Sequence, residues 1–443
     1  MANDTIAAIA TGAGGGIGIV RVSGPEAPAM ARRLLKPWPE RPESHRLYLA
    51  TFCDPATGEA LDEGLACAMR APHSYTGEEV LELQGHGGAG NLARLVDAVV
   101  RAGARVAEPG EFTRRAFLAG RMDLTQAEAV AEVIAARSER AVRLAQTQRG
   151  GAIAARVGQF RRRAIDLLAE VEAQIDFPDE KLDFLSPAVL AQTTLGLASE
   201  VAALAGTYAR GRLIASGAEV ALIGRPNAGK SSLLNALVGE ERALTDAVPG
   251  TTRDGVEVEL ELEGWMVRLV DTAGERVSEL MGLEQRGIEL GRRRRERADV
   301  WLIVVDGTVG WTELEERLLG EAARPVVTVW NKCDLAPSRR PNVVVTSARS
   351  GEGLGELKRV LRETLNDGDK EESAAISSAR QHEALEEAGA ALSRVTALLE
   401  REEPLELSAV DLRMAIDRLG RVTGEIVDGE VLDQIFARFC IGK

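Results

Sequence analysis

The sequence has few cysteines and few aromatic residues. Only 4 Cys occur in 443 residues, and Phe, Trp and Tyr together make up 4% of the chain. Cys53, Cys67, Cys333 and Cys440 are not spaced as a zinc clip or as a disulfide framework. This use of cysteine indicates a reducing compartment, so we expect a cytoplasmic protein.

Long apolar runs and an excess of positive charge are also missing. The start, "MANDTIAAIATGAGGGIGIV", has no basic segment and is too rich in glycine for a signal peptide. No later run reaches about 18 uncharged apolar residues, so we expect no membrane span. A net charge of -14 argues against a general nucleic-acid coat, because phosphate binding needs a positive surface. Any RNA contact is expected to be local.

The residues that are present indicate several domains. Residues 1–118 alternate short β-like runs with Gly and Pro, which is typical of a compact α+β domain. Residues 119–214 show helical spacing, and Thr125 with Glu128 matches a capping box at a helix start. The length of 443 residues allows about three domains.

The next segment is predicted to be an α/β domain that is inserted into the helical domain. Between 215 and 372, six apolar β runs alternate with helix-like stretches, which predicts a mostly parallel sheet. Helical spacing resumes over 373–443, where Ser408 and Asp411 give a second capping-box match. The charged stretch "NDGDKEESAAISS" is predicted to be the return linker of this inserted domain.

The stretch "ALIGRPNAGKSSLLNAL" follows a β run and precedes an amphipathic helix. It places Gly224, Gly229, Lys230 and Ser231 in the spacing of a phosphate-binding loop. Glycines let backbone N–H groups approach phosphates, Lys230 adds positive charge, and the Ser231 hydroxyl can ligate Mg²⁺. We include Ala228 and Ser232 in this predicted GTP site.

Three further motifs end predicted strands in the same domain. Asp334 of "NKCD" can accept from both the ring N–H and the exocyclic amine of guanine, which adenine does not offer, so the base is expected to be guanine. An acidic residue after a strand can also hold the shell of a metal ion. The predicted GTP-binding residues in these motifs are Asp271, Thr272, Ala273 and Gly274 of "DTAG", Asn331, Lys332 and Asp334 of "NKCD", and Ser347, Ala348 and Arg349 of "TSARSG".

The four motifs in this order resemble the translation-factor-like GTPases over about a third of the chain. The resemblance implies that Thr252 of "GTTRD" is the switch threonine for Mg²⁺. Ras-type enzymes keep a glutamine after the "DTAG" segment, whereas this chain has Glu275. A carboxylate there would repel phosphate charge, so we expect hydrolysis to depend on other groups.

Four weaker stretches allow both a functional and a structural interpretation. "GAGGGIGIVR" is predicted to be a turn between strands rather than a dinucleotide loop, because no glycines fall at i, i+2 and i+5. "GRRRRER" is either a solvated face or an RNA contact, and His86 is expected to be hydrogen-bonded rather than metal-bound. Cys440 of "FCIGK" fits a prenylation box poorly, which leaves a buried small hydrophobe or a functional thiol.

Four stretches together resemble the MnmE (TrmE) family of tRNA modification GTPases over nearly the full chain. They are "TGEEVLELQGHGG", "PGEFTRRAFLAGRMDLTQAEA", "IDFPDE" and "GRPNAGKSSLLNAL", and the terminal "FCIGK" agrees with them. The resemblance implies an N-terminal domain (1–118) for tetrahydrofolate binding and dimerisation. It also implies a helical domain (119–214 and 373–443) interrupted by a Ras-like P-loop GTPase domain (215–372).

For function, the resemblance implies a homodimer that works with the flavoprotein MnmG (GidA) in a heterotetramer. Together they would modify C5 of the wobble uridine of certain tRNAs, giving aminomethyl or carboxymethylaminomethyl uridine. The one-carbon donor would be 5-formyltetrahydrofolate or 5,10-methylenetetrahydrofolate, and FAD would belong to the partner. The implied folate-binding residues are Arg21, Glu82, Arg121 and Lys443.

The resemblance also implies a K⁺ ion that neutralises charge during GTP hydrolysis in place of an arginine finger. Its ligands would be Asn227, Asp246, Val248 and Thr251, three of which (Asn227, Asp246 and Thr251) also belong to the predicted GTP site. Glu284 would orient the attacking water, and Cys440 would lie near the one-carbon donor as a second catalytic residue.

A second class of function is a regulatory GTPase of ribosome assembly that binds rRNA without covalent chemistry. Such proteins attach an RNA-binding module, yet the sequence has no KH-like G-x-x-G loop in a basic setting. A plain binding module is disfavoured because hydrolytic residues are present. Neither alternative predicts folate binding, which therefore separates them from the first interpretation.

Overall fold

The computed structural model describes residues 4–12, 14–177, 183–240, 257–262, 264–271, 295–338, 340–365 and 375–442. The chain forms two compact units. Unit 1 comprises Met1–Ala131, Gln148–Ala202 and Glu383–Lys443, and unit 2 comprises Glu132–Thr147 and Ala203–His382. Strands and helices of the described residues are numbered in chain order.

The strands are β1 (Ile6–Ile9), β2 (Ile17–Ser23), β3 (Leu35–Lys36), β4 (Leu47–Cys53), β5 (Ala60–Met69), β6 (Val80–His86), β7 (Arg105–Val106), β8 (Ala218–Ile223), β9 (Glu257–Leu262), β10 (Trp265–Asp271), β11 (Val300–Asp306), β12 (Val326–Asn331) and β13 (Val344–Val345). The helices are α1 (Ala27–Leu34), α2 (Ala89–Arg101), α3 (Glu111–Leu118), α4 (Leu124–Ala135), α5 (Glu139–Arg149), α6 (Ala152–Asp176), α7 (Pro187–Ala205), α8 (Tyr208–Ser216), α9 (Lys230–Glu240), α10 (Glu313–Glu321), α11 (Leu354–Leu365), α12 (Ala379–Glu400), α13 (Leu405–Thr423) and α14 (Gly429–Phe436).

Unit 1 begins with a mixed α+β layer, as predicted for residues 1–118. Its seven-stranded sheet has the order β3-β4-β5-β6-β2-β1-β7, and its pairs are antiparallel except for β1 with β7. The glycine-rich segment joins the antiparallel strands β1 and β2, so the predicted turn is confirmed. One face of the sheet packs on α1 and α2 through a buried core that includes Val20, Val22, Leu83, Met30 and Leu95.

The helical part of unit 1 follows the predicted spacing. Long helix α6 packs along α13 and buries Val157, Phe160, Ala164 and Leu167. In α12 the apolar positions expected to share one face are all buried: Leu385, Leu392, Val395 and Leu399. Three- and four-residue spacing therefore predicted which side of α12 faces the core.

Both predicted capping boxes are wrong. At α4 the cap is Asp123, whose Oδ1 accepts from the N–H of Thr125 (2.8 Å) and of Gln126 (3.1 Å). Gln126 Oε1 accepts in return from the Asp123 N–H at 3.0 Å, so an aspartate and a glutamine form the reciprocal pair. Ser408 is buried inside α13, which begins at Leu405 after Pro404. The residue before a proline disfavours the helical conformation, so Pro404 fixes the start of α13.

Unit 2 is built on a six-stranded sheet of order β13-β12-β11-β8-β10-β9. Its pairs are parallel except for β9 with β10, so the mostly parallel α/β sheet is confirmed. All seven residues of β11 are buried, as expected for a central strand covered on both faces. The carboxyl ends of β8, β10, β11 and β12 meet along one edge of the sheet.

One stretch of the described residues, Pro187–Ser216, is long and apolar enough to cross a membrane, and an 18-residue window within it has a mean hydropathy of 1.4. It is not an uninterrupted apolar run, because Thr193, Thr194 and Ser199 lie within it. Within the apolar window, 44% is buried inside the protein. A single helix of this kind is weak evidence for a membrane span, since core helices of soluble proteins have the same length and composition.

Candidate functional site

The loop between β8 and α9 brings its backbone into close contact with neighbouring strands. A Cβ on Gly224 would lie 2.3 Å from the Val304 carbonyl oxygen, and one on Gly229 would lie 2.3 Å from Asn331 Nδ2. Both glycines also have positive φ, at 153° and 89°. Larger residues are excluded at both positions, and the loop leaves its N–H groups near the start of α9, where anions bind.

Lys230 is buried at the first position of α9. Its Nζ donates to the carbonyl oxygens of Gly224 and Arg225, both at 2.9 Å. Burial lowers the pKa of this ammonium group, and the nearby Asp271 carboxylate opposes that effect. The Lys230 ammonium group is therefore desolvated and lies on the concave side of the loop. Phosphate oxygens bind at such a position.

Ser231 and Asp271 supply oxygen atoms for a metal ion. Ser231 Oγ donates to Asp271 Oδ2 at 3.1 Å, and Asp271 is buried at the end of β10. A hydroxyl and a carboxylate are hard ligands that suit Mg²⁺. Among the described residues no group of three or more His, Cys, Asp or Glu is placed to hold a metal. Mg²⁺ in nucleotide sites is commonly held by one or two side chains together with phosphates, and this pair fits that chemistry.

The residues predicted to hold the base follow β12. Asn331 is 1% exposed and donates through Nδ2 to the Ala228 carbonyl at 2.9 Å. Its Oδ1 accepts from the Ala348 N–H at 3.2 Å. The side chain therefore joins the phosphate loop to the "TSARSG" loop. Asp334 is exposed, so its carboxylate is free to meet the edge of a base.

Lys332 is held by a residue that the motifs did not indicate. Its Nζ donates to Asp306 Oδ2 at 2.6 Å and to the Asn227 carbonyl at 2.8 Å. Asp306 also accepts from the N–H and the hydroxyl of Thr308. Burial alone would raise the pKa of the Asp306 carboxyl, but the hydrogen bonds from Lys332 and Thr308 lower it below 3.8. The sequence signal that could have identified Asp306 is its position at the end of the apolar strand β11.

The "TSARSG" loop lies beside Asn331 as predicted. Ser347 is fully buried, and its N–H donates to the Glu352 carbonyl at 2.9 Å. Ala348 is half-buried and Arg349 is exposed. The structure thus brings together the predicted residues of β8–α9, β10, β12 and the loop after β13. Other predicted residues lie outside the described part of the chain: Asp246, Val248, Thr251, Thr252, Thr272, Ala273, Gly274, Glu275, Glu284 and Lys443.

A second polar cluster lies in unit 1, on the face of the seven-stranded sheet opposite α1 and α2. Arg21 and Glu82 are direct cross-strand partners in β2 and β6. Arg21 Nε donates to Glu82 Oε1 at 2.9 Å, with 16% and 9% of the two side chains exposed. Gln84 Nε2 contacts Glu82 Oε2 at 3.4 Å. The largely buried carboxylate keeps the capacity to accept further hydrogen bonds.

Two aromatic rings that sequence reasoning missed surround Arg21. Its guanidinium lies 5.4 Å from the Tyr75 ring centre and 5.8 Å from that of Phe112. The Tyr75 hydroxyl hydrogen-bonds Thr113 Oγ1 at 2.8 Å. These contacts, which join residues far apart in sequence, hold the Arg21 guanidinium beside the half-buried Tyr75 ring and the fully buried Phe112 ring.

The remaining predicted residues of unit 1 lie in two places. Arg121 is exposed after α3, where its side chain packs beside Gly77. His86 is hydrogen-bonded to Asp62 at 2.7 Å, as expected. Cys440 is exposed, so its interpretation as a buried hydrophobe is wrong. The tail that carries it packs closely on the sheet domain, because a Cβ on Gly442 would lie 2.0 Å from the Ile9 carbonyl.

Comparisons with known proteins identify the family of the chain. Residues 124–440 match the family described as the MnmE helical domain, and residues 5–121 match the N-terminus of the GTP-binding protein TrmE. The tRNA modification GTPase MnmE of Geobacter metallireducens is 43% identical over 99% of both chains. The protein of the same name from Moorella thermoacetica is 42% identical over 100% of both chains.

Among solved structures, the G domain of the FeoB iron transporter of T. maritima is 28% identical, with a TM-score of 0.27. The match covers 34% of this chain and 99% of the FeoB G-domain chain. The two family matches together cover residues 5–121 and 124–440, and the relatives match over nearly the full chain. The chain therefore belongs to the family of tRNA modification GTPases called MnmE.

Proposed function

We propose that this protein is a K⁺-dependent GTP hydrolase that acts with the flavoprotein MnmG (GidA) on C5 of the wobble uridine of tRNA. The one-carbon donor is a tetrahydrofolate, either the 5-formyl or the 5,10-methylene form, and FAD is carried by the partner. The observation that carries the proposal is the Arg21–Glu82 pair on the sheet of unit 1. A GTPase that only regulates ribosome assembly has no use for such a pair.

The nucleotide would be bound by residues of unit 2 with separate tasks. Lys230 meets the β- and γ-phosphates, Ser231 and Thr252 hold Mg²⁺, and Asp334 accepts from guanine. Asp271 accepts from Ser231 and keeps its hydroxyl oriented. Bound Mg²⁺ supplies charge neutralisation at the phosphates. Asn331 and Lys332 act by holding the phosphate loop against the base loop through their contacts with Ala228 and Asn227.

Asn227 supports the K⁺ part of the proposal. It lies in the phosphate loop with φ 64° and is exposed, while its main-chain carbonyl accepts from Lys332. The hydrogen bond from Lys332 holds the backbone of Asn227 in place. The side-chain oxygen of Asn227 can then bind a cation. The residues implied beside it are Asp246, Val248 and Thr251. Turnover of GTP is expected to be faster in K⁺ than in Na⁺ at equal ionic strength, and equal rates would remove the K⁺ site.

The folate site would use the residues of unit 1. Glu82 accepts from the N–H edge of the pterin, as a carboxylate does for a paired donor edge. Arg21 is held by Glu82, Tyr75 and Phe112, and it orients the ring that lies beside it. Arg121 and Lys443 meet the anionic part of the donor. Residues 1–118 are therefore assigned to folate binding and dimerisation, and 215–372 to GTP.

Homodimer formation is supported by apolar side chains on the same sheet face. Leu47, Leu49 and Leu65 are 51%, 64% and 39% exposed. Leu49 pairs directly with Leu65, and Leu47 lies in the row that continues through Cys67 to Glu82. A contiguous exposed apolar surface favours association. We therefore propose a homodimer through this face, in the cytoplasm.

The test is titration of the full-length protein with 5-formyltetrahydrofolate by calorimetry. We expect saturable binding that Glu82→Gln weakens strongly, because the amide replaces one acceptor by a donor. Glu63→Gln is the matched control, since Glu63 is an exposed carboxylate on the neighbouring strand β5. Absence of folate binding by the unmodified protein, together with tight binding of rRNA, would favour the ribosome-assembly alternative.

A further inference from the structure

Two arginines without an acidic partner lie beside the proposed folate site. Arg121 and Arg149 are both exposed. Within the part of the chain that the structure describes, neither forms an ion pair. Arg21 is already neutralised by Glu82. The net charge contributed by these four side chains is therefore about +2, in a chain whose net charge is -14.

Gln126 ties the backbones that carry the two arginines. Its Nε2 donates to the Arg149 carbonyl at 3.0 Å, and its Oε1 accepts from the Asp123 N–H at 3.0 Å. Asp123 follows Arg121 by two residues, and Gly151 follows Arg149 by two. A Cβ on Gly151 would lie 3.4 Å from Gln126 Nε2, so this turn is closely packed. One amide side chain therefore holds both arginine-bearing segments in place.

The Arg121 side chain packs against the segment that carries Tyr75, and the Arg149 charge lies in its neighbourhood. A Cβ on Gly77 would lie 3.3 Å from Arg121 Cγ, which places that side chain against the same loop. Burial raises the pKa of the Tyr75 phenol, and the hydrogen bond to Thr113 and the charges of Arg21 and Arg149 oppose this. The Arg149 charge thus acts on the ring that also lies under Arg21. The Arg121 side chain and the Arg149 backbone are thus held near the Tyr75 segment, beside which the pterin is proposed to lie.

We propose that Arg149, together with Arg121 and positioned by Gln126, binds the two carboxylates of the glutamate tail of the folate. The proposal rests on the proposed function, since it names the part of the same ligand that these residues recognise. A glutamate carries two negative charges, which match two unpaired guanidinium groups. Charge-assisted hydrogen bonds from arginine to carboxylate are the strong class of such contacts. Arg149 thereby becomes a specificity residue for folates that carry the tail.

The experiment compares two ligands that differ only in the tail. 5-Formyltetrahydrofolate carries the glutamate, whereas the primary carboxamide of 5-formyltetrahydropteroate, called the pteroate below, ends in an uncharged amide in its place. For Arg149→Gln in the full-length protein we expect about tenfold weaker binding of the folate and unchanged binding of the pteroate. Arg149→Lys keeps the charge and is expected to recover most of the loss. Arg162→Gln is the matched control, because Arg162 is an exposed arginine on α6.

Gln126→Met provides an independent variant that leaves both arginines in place. It removes both bridging hydrogen bonds and is expected to weaken the folate by several-fold while sparing the pteroate. Equal loss for both ligands in either variant would overturn the tail assignment.

Unchanged folate binding by Arg149→Gln, with weaker binding of tRNA, would likewise overturn it and assign Arg149 to the nucleic acid. If the unmodified protein binds neither ligand, the proposed folate site itself is wrong.

Discussion

Asn331 shows how one side chain can organise a whole site. Its amide nitrogen donates to the Ala228 carbonyl, and its amide oxygen accepts from the Ala348 N–H. It is nearly fully buried, and the close approach of Gly229 leaves no room beside it. A loss of either bond leaves a buried polar group unpaired, which costs about 1 to 3 kcal/mol. The guanine-binding and phosphate-binding loops are therefore coupled through this residue.

Asp334 is expected to read the base, because its carboxylate is exposed beside that framework. Asp334→Asn should weaken GTP binding by about 2 to 3 kcal/mol, since a charge-assisted bidentate contact is lost. The same variant should accept xanthosine triphosphate, because the amide can donate to the oxygen that replaces the guanine amine. Fluorescence titration with both nucleotides measures this. Unchanged GTP affinity would place the base elsewhere.

Motif spacing predicted those residues of the nucleotide site that belong to short contiguous motifs. Lys230, Ser231 and Asn331 are all found along the same edge of the sheet of unit 2. Asp306 was missed because it contacts Lys332 across 26 residues, and no motif marks it. Tyr75 and Phe112 were missed for the same reason, since their contact with Arg21 arises only after the sheet and α3 have packed.

Among the elements, α3 is anchored by a network of buried charges. Glu111 accepts from Arg105 at 2.5 Å and from Arg115 at 2.9 Å. Arg115 also pairs with Asp4 at 2.8 Å and with Glu78 at 3.2 Å. Burial alone would raise the pKa of the Glu111 carboxyl, but hydrogen bonds from Arg105, the Glu108 N–H and Arg115 lower it below 4.5. The network joins the first residues of the chain to the loop before β6.

Glu111→Gln should lower the free energy of unfolding by about 2 kcal/mol at neutral pH, because it removes the charge-assisted hydrogen bonds that the carboxylate accepts from Arg105 and Arg115. The native carboxylate binds fewer protons than the unfolded one, so its stabilisation is complete above pH 4.5 and is lost as the pH falls through its native pKa. The difference between variant and unmodified protein should therefore shrink below pH 4.5. Thermal melting from pH 3.5 to 7.5 checks this. A difference that stays constant with pH would contradict the assignment.

Sequence patterns predicted the strands of unit 2 and the buried face of α12, because one side of each element must meet a core. Helix starts were predicted less well. At α4 the cap lies two residues before the expected Thr125, since aspartate is a better N-cap than threonine and its Oδ1 accepts from the free N–H groups of Thr125 and Gln126. Local patterns cannot rank two candidate caps that differ by two positions, whereas the packed helix selects one.

At the scale of the whole molecule, the open face of the unit 1 sheet presents Leu47, Leu49 and Leu65 to solvent. If this face forms the homodimer, Leu49→Glu should convert the protein to a monomer, because a charge would be buried opposite Leu65 and its copy. Each buried leucine contributes up to about 2 kcal/mol to association. Leu195→Glu is the matched control, since Leu195 is 51% exposed on α7. Light scattering after gel filtration measures the mass, and dimeric Leu49→Glu would exclude this face.

The tail of unit 1 brings Cys440 to the domain that is proposed to hold the folate. The Gly110 N–H contacts the Cys440 carbonyl at 3.4 Å, and Gly442 packs on the carbonyl of Ile9 in β1. Ile9 pairs with Val20 and the preceding Ala8 pairs with Arg21, so Gly442 packs one residue along the strand from the Arg21 row. The thiol is exposed. A thiolate at such a place can attack C6 of a pyrimidine and activate C5 for substitution.

Cys440→Ser should therefore fold and hydrolyse GTP at a normal rate, because the thiol is exposed and lies outside unit 2. It should fail to support tRNA modification when it is reconstituted with the partner flavoprotein, since a serine hydroxyl is a far weaker nucleophile than a thiolate. Mass spectrometry of the wobble uridine provides the readout. Ile441→Ala controls for disturbance of the tail, as Ile441 is 56% exposed at the next position. Full modification by the serine variant would make the role of Cys440 structural.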